Sequence, residues 1–260
     1  MAGRLWSVAS VLVVGAACWG WSAPRAAIAA PAETAPPEVA DTLAQIEAAA
    51  NAQDLESVMA FYGAGFVHGD GFDRSQYAAT LGEVWAAYQN LQYDVELLSW
   101  EPMGSGFVVE TLTTITGTRL EDGRNFTLRA TVRSRQRLEA GQLVSQEVLA
   151  EQSRLTLGNA APTVVVQLPE TVRVNARYGF DAIVQEPLGN RVLLGRAFEE
   201  GVTSEDFLTP RPLTLDSLSA GGLFKIGRAP GKADQRWVSS VIVGADGWVI
   251  DTRRLTVTAP

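Results

Sequence analysis

The chain contains one histidine, and it stands close to a carboxylate in a segment that could carry acid/base chemistry. His68 and Asp70 are two positions apart, so their side chains lie on the same side of an extended segment, where the carboxylate could orient the imidazole. Tyr62 or Tyr88 would be a nearby hydrogen-bond donor. This spacing predicts a candidate lyase or isomerase site with His68 and Asp70 as its catalytic pair.

The same segment also fits a structural role. Gly69 and Gly71 flank Asp70, and glycines on both sides suit a tight turn better than a rigid catalytic wall. In that case Asp70 accepts hydrogen bonds from backbone amides, and His68 is a packed or surface residue. The two glycines favour this second interpretation.

Residue types exclude several other kinds of site. Zinc and copper sites need clusters of His, Cys or carboxylate ligands, and none is present in a chain with one His and one Cys. No serine stands in a Gly-x-Ser-x-Gly turn. Residues 222–233 look like a phosphate loop, but Gly231-Lys232 is followed by Ala233, where a magnesium-binding Ser or Thr is needed. We therefore expect no metal and no cofactor.

Two kinds of periodicity define the elements that must position these residues. Apolar residues recur at helical spacing over 39–50 and 55–62. A third helix is predicted from Asp73, which forms a capping-box-like pair with Gln76. The period then changes to two, which predicts a run of long strands. These strands are predicted over 91–101, 106–118, 124–138 and 143–157.

Turn residues predict the register of the last three of these strands. A two-residue turn at Asp122-Gly123 places Ile115 opposite Ala130. A three-residue loop in the next hairpin would align Arg133 with Glu147. The outer face then carries a grid of opposite charges, which indicates a solvated sheet face or a dimer surface.

The opposite face of these strands carries neutral hydrogen-bonding groups between apolar residues, and no carboxylate. Such a face suits a small ligand with polar and apolar groups, and it counts against an acidic base raised in pKa by burial. The predicted ligand-binding residues are Tyr62, Tyr88, Thr111, Thr113, Ser134, Gln136, Gln146 and Gln152.

After a short linker at 159–162, short strands and frequent turns predict a small all-β, sandwich-like domain over 163–260. The expected fold class is therefore α+β, with N-terminal helices packed in a curved antiparallel sheet over 38–158, followed by this sandwich. A basic cluster in the second domain predicts a solvated loop, or a docking site for an acidic partner or for the charged sheet. The cluster consists of Lys225, Arg228, Lys232 and Arg236.

The first thirty residues predict export. Arg4 precedes an apolar run over 8–21, and Ala27-Ile28-Ala29 is a pattern that signal peptidases accept. The run is shorter than the about 20 residues that a membrane span needs. Cleavage is therefore favoured over an uncleaved anchor, and it is favoured over a lipid on Cys18 because Gly15 stands where lipoproteins usually have Leu, Val or Ile. We expect a signal peptide over 1–30 and a flexible leader over 31–37.

Overall charge excludes two kinds of partner. The chain has 29 acidic and 21 basic residues, for a formal net charge of −8. Nucleic acids and anionic membranes attract basic surfaces, so neither is expected to bind. Membrane attachment is expected only through an uncleaved signal or a lipid on Cys18.

Three helices followed by a long antiparallel sheet, together with the segment Phe66-Val67-His68-Gly69-Asp70-Gly71-Phe72, resemble the nuclear-transport-factor-2-like (SnoaL-like) superfamily over residues 38–158. The resemblance implies a cone whose mouth accepts a small molecule. Ketosteroid isomerases and scytalone dehydratases are enzymes of this superfamily, whereas other members bind or dimerise. Segments 181–189 and 221–230 also resemble an exported, two-part cyanobacterial family, which implies the periplasm or thylakoid lumen.

Three hypotheses about function follow. The leading one is an exported accessory protein that binds a small molecule or a partner without catalysis. The second is a small-molecule lyase or isomerase that uses His68 and Asp70. The third is a structural homodimer, formed through the sheet face, whose cone is filled by side chains.

Overall fold

A computed structural model describes residues 29–158, 160–187, 189–202, 214–219 and 221–259. The predicted signal peptide and Cys18 lie outside these residues. Strands account for 58% of the described residues and helices for 18%. The predicted α+β class is therefore wrong: the described chain is mainly β, and its helices lie against one part of a large sheet.

The helices come early in the described chain and most strands follow them. The helices are α1 (Pro37–Asn51), α2 (Leu55–Ala60) and α3 (Arg74–Ala87). The strands are β1 (Ala30–Pro31), β2 (Tyr62–His68), β3 (Gln89–Met103), β4 (Gly106–Glu121), β5 (Arg124–Glu139), β6 (Gln142–Leu157), β7 (Val164–Gln167), β8 (Thr171–Arg173), β9 (Arg177–Val184), β10 (Leu194–Gly201), β11 (Asp216–Ser217), β12 (Gly222–Arg228), β13 (Asp234–Val243) and β14 (Trp248–Thr258). Within the described ranges, no helix has the length and apolar character that a membrane span requires.

Helix α3 begins with a complete capping box. The Asp73 carboxylate accepts a hydrogen bond from the Gln76 backbone N–H at 2.8 Å, and the Gln76 side chain accepts one from the Asp73 N–H at 3.0 Å. These bonds satisfy two backbone donors that the first helical turn leaves free. The helix start is thereby fixed directly after the segment that carries His68 and Asp70.

Both halves of the chain contribute to one sheet. In the described residues this sheet has eleven strands in the order β1-β3-β4-β5-β6-β14-β13-β10-β11, with β2 parallel to β6 and β8 parallel to β14. The predicted fold class is also wrong in its separate sandwich. Strand β14 of the C-terminal half pairs directly with β6, so it belongs to the same sheet. A long strand such as β6 cannot leave its backbone donors and acceptors bare without inviting other strands, and β2 and β14 together cover that edge. A second, three-stranded sheet has the order β12-β9-β7.

The register of the β4–β5 hairpin is as predicted. Ile115 lies opposite Ala130, and the turn residues Asp122 and Gly123 have φ angles of 50° and 71°. Positive φ at both central positions is the signature of the type I′ turn, whose twist matches that of the strands. Local turn chemistry was therefore sufficient to place these two strands.

The predicted register of the β5–β6 hairpin is wrong. Its turn has two residues rather than three, and irregularities between Arg133 and Ser134 and between Arg137 and Leu138 shift the pairing further. Arg133 therefore lies opposite Ala150. Bulges of this kind place two residues of one strand against one of its partner, so the error grows along the hairpin.

One consequence of this shift is that two side chains exchange faces. Glu151 lies opposite Val132, on the face that meets the helices, whereas Gln152 lies opposite Thr131 on the outer face. The predicted absence of a carboxylate from the inner face is therefore wrong. Glu151 is part of the site described next.

The two largest hydrophobic cores of the described residues lie on opposite sides of the sheet. One packs α1, α2 and β2 against β4 to β6, with Val39, Val109 and Leu143 almost fully buried. The other packs the three-stranded sheet against β13 and β14, around Phe180 and Leu255. Strand β14 thus belongs to the second core and also pairs with the sheet of the first.

Candidate functional site

Strand β2 carries three aromatic side chains into the interior. Tyr62, Phe66 and His68 are all buried, and His68 is 6% exposed. These residues have even spacing, so they share the face of β2 that meets the helices. The parallel pairing of His68 with Gln146 on β6 places the imidazole beside the predicted polar row of the inner face.

The segment after β2 is a tight turn. The Gly71 N–H donates to the His68 carbonyl at 2.9 Å, and the His68 N–H donates to the Phe72 carbonyl at 3.0 Å. Gly71 has a φ of 86°, a conformation that glycine adopts without steric cost. This turn holds Asp70 on the same side as His68.

Aromatic rings surround the imidazole. The Tyr77 ring is stacked on it, with centroids 5.6 Å apart and an angle of 27°, and the Phe72 ring meets it edge-on at 5.4 Å. Burial lowers the pKa of His68; the charge of Asp70 opposes this shift, and the charge of Arg254 adds to it. The ring is therefore neutral at pH 7.

The structure brings His68 and Asp70 together, but not as an imidazole oriented by a carboxylate. The Asp70 backbone N–H donates to His68 Nδ1 at 3.1 Å, while Nδ1 lies 3.7 Å from the carboxylate oxygen Oδ2. Nδ1 is thus an acceptor, and the proton of the neutral ring lies on Nε2. The acid/base pair stays a prediction that this geometry does not favour.

The Asp70 carboxylate is bound instead by an arginine from the other half of the chain. Arg254 donates from Nη1 and Nη2 to the two Asp70 oxygens, both at 2.8 Å. Arg254 also donates to Glu151 Oε2 from Nε at 3.2 Å and from Nη2 at 3.0 Å. The same oxygen accepts a hydrogen bond from Trp237 Nε1 at 3.0 Å. We call His68, Asp70, Glu151 and Arg254 the junction cluster.

The junction cluster is deeply buried and electrostatically coupled. The Arg254 side chain is only 2% exposed. Its burial opposes the charged form, but the hydrogen bonds and charges of Asp70 and Glu151 outweigh that effect and raise the pKa of Arg254. A buried arginine is stable as a cation when carboxylates accept its hydrogen bonds. The cluster therefore joins the halves through a charged contact as well as through the β6–β14 pairing.

A second group of polar side chains lies on the inner face. The Tyr62 hydroxyl lies 3.4 Å from that of Tyr77, and Gln146 opposes the rise that burial causes in the pKa of Tyr77. Gln136 Nε2 donates to Gln146 Oε1 at 3.2 Å. Burial raises the pKa of both tyrosines. The other amide atom of this glutamine, Gln136 Oε1, is buried and has no hydrogen-bond partner.

A further buried oxygen without a hydrogen-bond partner lies on the same face of the sheet. Thr111 is 0% exposed, and its Oγ1 makes no hydrogen bond. Thr111 pairs with Ser134, and Val109 pairs with Gln136, so Thr111 and Gln136 are diagonal neighbours on one face. Buried polar atoms are normally satisfied by protein or by a bound molecule. Thr111 Oγ1 and Gln136 Oε1 are therefore two unsatisfied acceptors on neighbouring strands of one face.

The remaining predicted ligand-binding residues are placed elsewhere. Thr113 lies on the inner face opposite Val132. Tyr88 follows the last turn of α3, and its ring lies 5.7 Å from the Arg119 guanidinium. Gln152 is on the outer face, as described above. The structure thus gathers Tyr62, Thr111, Ser134, Gln136 and Gln146, and it separates Tyr88 and Gln152 from them.

Two surface depressions border the turn that carries Asp70. Their volumes are about 320 and 460 Å³, and both are lined by Gly69, Asp70 and Gln235. His68 lines neither of them. Among the described residues, no three His, Cys, Asp or Glu side chains are grouped to hold a metal ion.

The C-terminal half matches a known but uncharacterised family. Residues 159–258 match the family described as "Domain of unknown function (DUF8623)". A comparison with curated proteins gives no significant match. The predicted resemblance to a cyanobacterial family stays a prediction.

Several solved structures are similar to part of the chain. Bd1075 of Bdellovibrio bacteriovorus has 18% identity and a TM-score of 0.31, covering 43% of this chain and 40% of that one. An LEH-like epoxide hydrolase of M. tuberculosis has 14% identity and a TM-score of 0.31, covering 43% and 80%. A hypothetical protein with a ketosteroid isomerase-like fold from Catenulispora acidiphila, in complex with trimethylamine, has 14% identity and a TM-score of 0.31, covering 42% and 83%.

These likenesses are partial. The chain spans 40% of the length of Bd1075. The neighbours include proteins described as ketosteroid isomerase-like and as an LEH-like epoxide hydrolase. Their TM-scores are too low to support any inference about the site.

Proposed function

We propose that the protein is an exported, non-catalytic binding protein whose N-terminal half binds a small molecule with polar and apolar groups. The observation that carries this proposal is the state of the imidazole. His68 is enclosed by aromatic rings, its Nδ1 accepts a backbone hydrogen bond, and the neighbouring carboxylate is held by Arg254.

This arrangement lacks what proton transfer requires. A general base must come within hydrogen-bonding reach of the proton that it removes. His68 is 6% exposed, and the Asp70 carboxylate is occupied on both oxygens by Arg254. Glu151 accepts hydrogen bonds from the same arginine. The carboxylates of Asp70 and Glu151 therefore bind the Arg254 guanidinium instead of a substrate proton.

The inner polar row supports binding. Thr111 Oγ1 and Gln136 Oε1 are buried without partners, and a buried polar atom left unsatisfied costs about 1–3 kcal/mol. A ligand that donates a hydrogen bond at this place recovers that free energy. Apolar neighbours such as Val109, Phe66 and Leu138 would contact its non-polar part. We therefore infer a ligand with a hydroxyl, amide or amine donor on an apolar body.

Export remains part of the proposal on the strength of the N-terminal pattern alone. The Arg4 charge, the apolar run over 8–21 and Ala27-Ile28-Ala29 support a cleaved signal and a place in the periplasm or thylakoid lumen. N-terminal sequencing of the protein from its own host tests this part, and a first residue before Ala27 would contradict it.

The ligand is best sought with two matched variants on β4. Thr111→Val replaces the partnerless hydroxyl with a methyl group of the same shape. Thr114→Val makes the same change on the outer face, opposite Thr131. In native mass spectrometry of protein from the native compartment, we expect a bound small molecule in the wild type and in Thr114→Val, and its loss in Thr111→Val.

Two results would contradict the proposal. One is a ligand that Thr111→Val retains. The other is the absence of any adduct in the wild type, because the partnerless oxygens would then be a simple cost of the fold. Substrate turnover that His68→Gln abolishes, with ligand binding intact, would replace the proposal with the lyase or isomerase hypothesis.

A further inference from the structure

Strand β12 forms one side of the three-stranded sheet. It pairs with β9 from Gly222↔Ile183 to Arg228↔Arg177. Within the described residues, no strand pairs with its other edge. That edge presents backbone N–H and C=O groups that can template another strand.

This edge also exposes apolar side chains. Phe224 is 52% exposed and Ile226 is 70% exposed. Being two residues apart, they lie on the same face of β12, with Val165 of β7 exposed on the same side. Gly179 lies opposite Ile226, and the space above it is open. An apolar face of this kind is more typical of an interaction site than single scattered residues are.

Cations that lack partners border the same edge. Lys225, Arg228 and Lys232 are exposed, and no carboxylate of the described residues forms an ion pair with them. Arg236, the fourth member of the predicted basic cluster, differs: it donates to Glu199 at 2.7 Å and lies 3.4 Å from Asp234. The three free cations stand on a protein with a net charge of −8.

We propose that the β12 edge binds an extended, acidic segment of a partner protein by strand addition. Backbone hydrogen bonds to β12 would supply affinity, and alternate apolar side chains of the partner would cover Phe224 and Ile226. Acidic residues at the other positions of the partner would face Lys225, which lies on the face of β12 opposite to that of Phe224 and Ile226, and the exposed Arg228 at the end of the strand would add to the attraction. This site lies in the C-terminal half and is independent of the ligand site proposed above.

Charge argues for a partner of opposite sign over a second copy. Antiparallel pairing of two β12 strands about their centre would place Lys225 of one copy opposite Lys225 of the other, and like charges across a strand pair are destabilising. Lysine on an edge strand is a known means of preventing self-pairing. An acidic strand meets no such repulsion.

The test uses the full chain and two fluorescent ten-residue peptides, one alternating Glu and Val and the other alternating Lys and Val. Fluorescence anisotropy is expected to show at least tenfold tighter binding of the Glu-Val peptide, and weaker binding as salt is added. Hydrogen exchange is expected to slow at the amides of β12 when this peptide binds. The exchange result needs no variant, so it does not depend on how a variant folds.

Variants separate the apolar contribution to peptide binding from the electrostatic one. Phe224→Thr/Ile226→Thr and Lys225→Glu/Arg228→Glu are each expected to weaken Glu-Val binding at least tenfold. Leu120→Thr, at an exposed apolar residue outside β12, is the matched control and is expected to change nothing. Equal binding of both peptides, or protection outside β12, overturns the proposal. So does a dimer, seen by sedimentation, that Phe224→Thr/Ile226→Thr abolishes, because the occupant would then be a second copy.

Discussion

Two groups of cations in the C-terminal half differ in almost every physical respect. The Arg254 side chain is 2% exposed, and the carboxylates of Asp70 and Glu151 lie within hydrogen-bonding distance of it. Lys225 and Arg228 are exposed and have no carboxylate partner among the described residues. The comparison shows that a basic residue acquires a structural or a binding role from its surroundings. Buried, it holds the fold together; exposed on an open edge, it remains available to another molecule.

Removing one cation from each group is expected to give the largest difference in stability. Arg254→Leu leaves Asp70 and Glu151 buried without their counter-charge, which is expected to lower the free energy of unfolding by about 3–5 kcal/mol. Arg228→Leu removes an exposed cation and is expected to change it by less than about 0.5 kcal/mol. Urea unfolding followed by circular dichroism measures both.

A double-mutant cycle shows whether the loss comes from the contact between the halves. Asp70→Asn and Arg254→Leu are expected to be non-additive, with an interaction free energy of about 0.5–3 kcal/mol. Additive losses, or equal losses in Arg254→Leu and Arg228→Leu, would show that the buried ion pair does not stabilise the junction.

The buried cluster is also expected to respond to acid. Because the pKa of His68 is lowered in the folded state, the unfolded state binds its proton first as pH falls below about 6.5. Stability contributed by the neutral ring is complete above that pH and is lost between the unfolded and folded pKa values, by at most about 1.4 kcal/mol per pH unit. The free energy of unfolding of His68→Gln should therefore lack the part of the pH dependence that comes from His68 between pH 7.5 and 5. Parallel curves for the two proteins would contradict this.

The smallest expected effect concerns the inner polar row. In protein stripped of ligand, Thr111→Val removes a buried oxygen without a partner, so it is expected to raise the free energy of unfolding by about 1 kcal/mol. Thr114→Val, on the outer face, is expected to change it by less than about 0.5 kcal/mol. Thermal unfolding compares the two, and a destabilised Thr111→Val would mean that this hydroxyl is satisfied in the protein.

The sequence was informative where structure is set locally. Asp73 and Gln76 marked the start of α3, and Asp122-Gly123 defined the β4–β5 register. The next hairpin turns at Ala140-Gly141, where Ala140 has a φ of 49°. A non-glycine residue with no Asn or Asp character gives no signal for such a turn, and the bulges in the hairpin give none either.

The parts that sequence reasoning missed depend on contacts across long stretches of chain. Arg254 and Asp70 are 184 positions apart, and nothing near Arg254 marks it as buried. The fold class was wrong for a related reason, because no local pattern shows that β14 pairs with β6. Strand β12 was interpreted as a basic loop, although Leu223, Phe224 and Ile226 have the side chains of a strand; glycines at both ends hid it.

The pairing of β14 with β6 determines when the molecule can finish folding during its synthesis. β14 is the last of the described strands to leave the ribosome, yet it covers the edge of a strand made about a hundred residues earlier. Until then the part of β6 that pairs with β14 is a bare edge, and Asp70 lacks the Arg254 guanidinium that binds it. A fragment ending at residue 158 would therefore keep an exposed strand edge that is prone to association. Chaperones would have to protect this edge until β14 is available.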